Sequence, residues 1–134
     1  MEKRMCIYVS SPKSYKDVFD AFYICKNRFW PDSRYRFVLS TNYEANYKGV
    51  DIIDSHNTSD TWVERSMYAL SEINEKYIML LCDDLLISKK IDSRYIDDIL
   101  NFMDRNDIKF CRLKPLNGGK KVKGHNYLSW VKMN

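Results

Sequence analysis

Two adjacent carboxylates, Asp83-Asp84, close the most apolar run of the chain, Tyr77-Ile78-Met79-Leu80-Leu81-Cys82. A run apolar at every position reads as a central strand covered on both faces. In open α/β sheets, ligands bind beyond the carboxyl ends of such strands. Two neighbouring carboxylates there repel each other, and a divalent cation offsets that repulsion. Hard oxygen donors favour Mg2+ or Mn2+, usually shared with a substrate's phosphates. The competing reading is structural, with one Asp capping the turn and the other solvated. Other metal chemistry has little material. Cys6, Cys25, Cys82 and Cys111 lie far apart with no CxxC pair, and His56 and His125 are the only histidines. The cysteines sit inside or beside apolar runs and read as buried free thiols.

Four glycines and three prolines among 134 residues narrow the ways to hold a phosphate. Gly49, Gly118, Gly119 and Gly124 fit neither the GxxxxGK[ST] loop nor GxGxxG. Phosphates would fall to side chains and a metal. Length, with 45% apolar and 30% charged residues, describes one globular folding unit and excludes a disordered chain. The net charge of +4 is too small and too dispersed for a dedicated nucleic-acid binder. The one dense basic stretch, Lys114 to Lys123, reads as a solvated tail. A phosphate contact and attraction to an anionic membrane are its functional alternatives. No segment approaches the ~20 apolar residues of a membrane span. The apolar stretch after Met1-Glu2-Lys3-Arg4 stops at Ser10, too soon for a signal peptide. The expectation is a cytoplasmic protein, with the inner membrane surface as an alternative placement.

The carboxylates need elements to position them. Met5 to Val9 predicts a strand ending at Ser10-Ser11-Pro12. Val18, Phe22, Cys25 and Phe29 recur at helical spacing, and Pro31 stops that helix at Trp30. Phe37-Val38-Leu39, leading into Ser40-Thr41-Asn42, and Val50 to Asp54 predict two more strands. Thr61-Trp62-Val63-Glu64 fits a capping box, and Val63, Met67, Leu70 and Ile73 predict the buried stripe of the helix it starts. After the acidic strand, Ile96, Ile99, Leu100 and Met103 mark a third helix, and Ile108 to Leu113 a further strand. The order β-α-β-β-α-β-α-β implies an α/β fold, with a mostly parallel sheet in a three-layer α/β/α sandwich.

The chain from about Arg4 to Leu116 resembles the nucleotide-sugar-binding half of a GT-A-fold glycosyltransferase, a Rossmann-like fold. The resemblance is to the type found in bacterial capsule and cell-surface polysaccharide synthesis. It rests on Ser10-Ser11 ending the first strand, Ser40-Thr41-Asn42 ending the second, the helix Trp62-Val63-Glu64-Arg65-Ser66-Met67-Tyr68-Ala69-Leu70, and Cys82-Asp83-Asp84 followed by Leu85-Leu86-Ile87. The last resembles the family's DxD region, with Cys82 at the position of its first Asp. The resemblance implies a nucleotide-sugar-binding domain over residues 1–116. Residues 117–134 would form a loop-rich basic tail, the start of an acceptor-binding part. It implies nucleotide contacts from Ser10, Ser11, Thr41, Asn42, Arg65 and Asp83, and a Mg2+ or Mn2+ ion on Asp83 and Asp84. The implied partners are a nucleotide-sugar donor, UDP-sugar favoured, and a saccharide or lipid-linked acceptor.

The family often has an acid where Thr41-Asn42 stands, so Asp54 or Asp60 is an alternative base contact. Transferases of this fold continue well past the acidic strand, where inverting members carry the general base. No Asp or Glu follows Asp107, and His125 is the only other base candidate there. A shortened chain, self-association or a second protein supplying the acceptor site is therefore expected. A non-catalytic nucleotide-sugar-binding or interaction module is the competing function, and another metal-dependent α/β enzyme the third. Trp62, Phe29 and Trp30 read as packing residues, while Tyr43 and Tyr47 are candidates to line a pocket.

Overall fold

The computed structural model describes residues 2–54, 61–113, 120–121 and 129–131, with side chains over 4–54 and 61–113. Two compact units divide the chain, Met1–Ile91 and Asp92–Asn134. In the first, β1 (Glu2–Ser10) leads through a 3-10 turn (Lys13–Tyr15) to α1 (Lys16–Phe29), then β2 (Tyr35–Thr41), β3 (Asp51–Asp54), α2 (Trp62–Ser71) and β4 (Tyr77–Leu81). The four strands form one parallel sheet in the order β3-β2-β1-β4. An α/β fold with a parallel sheet is therefore present, compatible with a Rossmann-like fold. The second unit holds α3 (Ser93–Arg105), β5 (Phe110–Arg112), β6 (Lys120–Lys121) and β7 (Ser129–Val131), the strands forming an antiparallel sheet ordered β5-β7-β6. Ile96, Ile99, Leu100 and Met103 are the buried stripe of α3, as their spacing predicts.

β1 runs between β2 and β4. Cys6 to Val9 pair with Arg36 to Leu39 on one side and Ile78 to Leu81 on the other. All of Met5 to Val9 is buried, and burial pushes the Cys6 thiol up to about 11. Phe37 of β2 meets the α1 rings Phe19 and Phe22 at 6.2 and 6.1 Å. Its neighbour Val38 clusters with Cys6, Tyr8, Ala69 and Ile73. Trp30 ends α1 as Pro31 dictates and is fully buried against Tyr35. Where β2 begins, Arg36 grips Glu75 through two hydrogen bonds, Nε to Oε1 at 2.7 Å and Nη2 to Oε2 at 3.0 Å, and reaches Asp51 at 3.4 Å. The guanidinium holds the Glu75 carboxyl below its usual range.

Three expectations are corrected. β4 is not a central strand. Among the described residues it pairs only with β1, and Ile78 and Leu80 are 39% and 55% exposed. An apolar run marks burial on both faces only if something covers the second face, and periodicity carries no such information. The stripe of α2 is also different. Ile73 is buried as expected, but Val63, Met67 and Leu70 are exposed, and the helix instead buries Arg65, Ser66 and Ala69. Polar groups win that face because β1 offers them partners: Tyr8 Oη donates to Ser66 Oγ at 3.2 Å and Arg65 Nε donates to Ser10 Oγ at 3.0 Å. Finally, only Cys6 is a buried thiol. Cys25 and Cys111 are half-buried and Cys82 is exposed, all four being free.

Candidate functional site

β1, β2 and β4 end at one edge of the sheet. From β1 the chain builds outward to β2 and β3, then returns to the other side of β1 as β4. The strand order therefore reverses between β1 and β4, and such a switch point is where open α/β sheets form their ligand crevice. The residues after these two strands are joined directly. Ser11 Oγ donates to Asp83 Oδ2 at 2.6 Å, and both are buried, Asp83 at 9% exposure. Arg65, 3% exposed, reaches Ser10 from the first turn of α2. That turn starts as the capping box predicts, with the Glu64 N–H donating to Thr61 Oγ1 at 3.2 Å.

Backbone contacts complete the edge. The Ser11 N–H donates to the Ser40 carbonyl at 3.0 Å, and the Lys13 N–H to Asn42 Oδ1 at 2.8 Å. A turn closed by the Leu85 N–H and the Cys82 carbonyl at 3.2 Å carries Asp83 and Asp84. Its first Asp faces β1 and its second is exposed.

Four residues singled out from sequence thus converge: Ser10, Ser11, Arg65 and Asp83. Asn42 lies on the same edge with its amide oxygen engaged by Lys13, and Thr41 is fully buried at the end of β2. Asp54 ends β3 opposite Thr41 and is exposed. His56, Asp60 and His125 lie outside the described residues, as does most of the Lys114–Lys123 stretch. Sequence reasoning missed the Ser40 carbonyl and the Lys13 N–H, because a backbone group carries no residue-type signal. Ser40 Oγ is itself buried without a hydrogen-bond partner.

The structural alternative for Asp83-Asp84 is half met. Asp84 is exposed, but Asp83 ties two loops together rather than capping its own turn. No group of three His, Cys, Asp or Glu side chains able to hold a metal occurs among the described residues. The donor set fits a hard cation only where the ligand's own oxygens complete the shell, the usual case for Mg2+ with phosphates.

Tyr43 and Tyr47, the candidates to line a pocket, stand in the loop after β2 against α1. Tyr47 Oη donates to Asp20 Oδ1 and lies 3.3 Å from Tyr43 Oη, while its ring packs edge-on to Phe19 at 4.9 Å. They fasten the loop after β2 onto α1. Burial and the Asp20 bond push the Tyr47 hydroxyl well above its usual range, and Lys16 with Tyr47 hold Asp20 below its own. Trp62, expected to pack, is 54% exposed at the start of α2. A groove in the second unit, lined by Asp98, Asn101, Phe102, Asp104 and Arg105, contains none of the expected site residues. No helix among the described residues is long and apolar enough to cross a membrane.

A scan against protein-family models and searches of curated proteins and of solved structures return no match for this chain.

Proposed function

We propose that this chain binds a nucleotide-sugar, UDP-sugar favoured, and acts as a GT-A-type glycosyltransferase or its donor-binding half in cell-surface polysaccharide synthesis. One observation carries the reading. Ser10, Ser11, Arg65 and Asp83, expected from sequence to touch the nucleotide, are linked by hydrogen bonds at the switch point of a parallel sheet. The three-layer α/β/α arrangement belongs to the same proposal. Its support is that adjacent Phe37 and Val38, which must face opposite sides of β2, meet α1 and the α2 cluster respectively.

The roles follow from chemistry at named atoms. Ser11 Oγ holds one oxygen of Asp83 and so fixes the orientation of the carboxylate. Asp84, exposed in the same turn, would be the second ligand for Mg2+ or Mn2+. Such an ion, when bound, relieves the charge developing on the departing diphosphate. Arg65, which donates to Ser10 Oγ at the end of β1, is the cation that meets the phosphate or the base. The acceptor is a saccharide or lipid-linked saccharide, and no residue is assigned as general base. The proposed location is the cytoplasm, at or near the inner membrane surface.

Calorimetric titration with UDP, with and without Mn2+, tests the reading. Binding strengthened by Mn2+ is expected, and Asp84→Ala should remove the Mn2+-dependent part, about tenfold in affinity or more. Folded protein that binds UDP in neither condition sinks the proposal. A second reading, a non-catalytic nucleotide-sugar-binding module, is favoured by one observation: Asp83 is engaged by Ser11 and leaves Asp84 as the only fully exposed carboxylate of the pair. It predicts binding without release of sugar from the donor. Donor turnover lost in both Asp83→Asn and Asp84→Ala excludes it.

A further inference from the structure

Away from the switch point, the first unit carries an unusual apolar surface. α2 presents Val63, Met67 and Leu70 to solvent, at 56%, 67% and 43% exposure, and β4 presents Ile78 and Leu80. These two sets are neighbours. On α2, residues 63, 67 and 70 share one flank, set about 100° around the helix from the buried Ala69 and Ile73. On β4, Ile78 and Leu80 pair in register with Cys6 and Tyr8 of β1, which belong to the cluster under α2. Ile78 and Leu80 therefore face the side of the sheet that α2 covers. The right-handed connection of parallel strands then fixes which way the flank points. With β3 and β4 at opposite edges, the flank carrying Val63, Met67 and Leu70 turns toward β4. The result is a trough with a helical wall and a sheet floor, both apolar.

The opposite edge shows the contrast. β3 starts and ends with exposed carboxylates, Asp51 and Asp54, the charges that keep an exposed strand solvated and unpaired. β4, Tyr77–Leu81, carries no charge and no proline.

We propose that this trough is the contact surface of a two-fold dimer of the chain. In it, the α2 flank of each copy lies over Ile78 and Leu80 of the other. The shape is self-complementary, since each copy supplies one wall and one floor, as an isologous interface requires. The area is of the right order. Full cover of these five exposed residues on both copies, together with the rim of the contact, reaches the ~1,000 Å² in total at which a specific but weak interface begins. An apolar patch that runs unbroken from a helix flank onto a sheet floor is of the kind that often serves an interaction.

Sedimentation velocity of the full chain, in reductant because Cys82 is exposed, tests the proposal. Dimer is expected at roughly 100 µM, the range of a weak to moderate association. Met67→Glu and Leu80→Lys should each weaken it about tenfold or more, with far-UV circular dichroism unchanged because both positions are exposed. Mixing the two variants is the decisive arm. The heterodimer pairs Glu at 67 with Lys at 80 at one contact and keeps the native Met67–Leu80 contact at the other, so association returns. A wild-type monomer at that concentration overturns the proposal, and so does a mixture of the folded variants that stays monomeric. The test is independent of nucleotide binding.

Discussion

The bond between Ser11 and Asp83 should hold the candidate site together in the absence of any ligand. A double-mutant cycle measures it. The donor is a hydroxyl, the acceptor a carboxylate, the separation 2.6 Å, and both residues are buried. Hydrogen bonds to charged groups contribute about 1.5–3 kcal/mol net. Ser11→Ala leaves a largely buried carboxylate short of a donor, and should destabilise by about 2–3 kcal/mol. Asp83→Ala leaves the Ser11 hydroxyl without its acceptor, and the neutral group should lose less, about 1–2 kcal/mol. The double variant loses the bond once rather than twice. The coupling energy should therefore be about 1.5 kcal/mol or more, well above the ~0.5 kcal/mol scatter of independent sites. Urea unfolding at pH 7 of the wild type, both single variants and the double variant gives all four corners. Additive losses would refute the reasoning, since Asp83 would then be oriented by something other than Ser11. In that case the residues after β1 and β4 would be joined by the strand pairing alone.

Three further outcomes follow from the same structure. Glu75→Gln should lower stability by about 1 kcal/mol at pH 7, since two charge-assisted bonds to Arg36 are weakened and the pair is partly screened by solvent. Arg36 depresses the folded pKa of Glu75, so that contribution is present above the unfolded glutamate value and disappears as pH falls through the folded one. Urea midpoints of wild type and variant should therefore converge in acid. Phe37→Ala should destabilise by about 3–5 kcal/mol, because its buried ring meets Phe19 and Phe22; thermal unfolding checks it. Thr61→Ala removes the cap of α2 and should lose about 1 kcal/mol. UDP affinity should also fall, as Arg65 is carried by that first turn.

Much of the first unit was legible because its signals are local. Pro31 stops α1, Thr61 starts α2, and acids or small polar residues end the strands that reach the candidate site. Which residues gather at that edge could be read as well, since strand ends in a parallel sheet share one side by construction. What the residues do to one another could not. That Asp83 would bind Ser11, and that Asn42 would accept from a backbone N–H, depends on pairing between β1 and β4 and on loop geometry. The position of β4 was illegible for a related reason. Its continuous apolar run fits a covered strand, and the same run fits an edge strand whose outer surface meets another surface. The stripe on α2 misled likewise. Val63, Met67 and Leu70 form a true apolar flank, but hydrophobicity alone did not reveal that Arg65 and Ser66 had partners on β1.

The pairing of β1 with β4 also sets a timetable for synthesis. β1 can meet β2 once Thr41 has emerged, but its other side must wait for Leu81, 40 residues later by their numbers. At ~5–20 residues per second, that side of Met5 to Val9 stands open on the ribosome for about 2–8 seconds. Met5-Cys6-Ile7-Tyr8-Val9 is uncharged and lacks proline, a composition prone to pair with whatever strand arrives first. The arrival of β4 ends that exposure and, in the same step, brings Asp83 to Ser11. The nascent chain therefore acquires its candidate binding site at the moment it loses its most aggregation-prone edge.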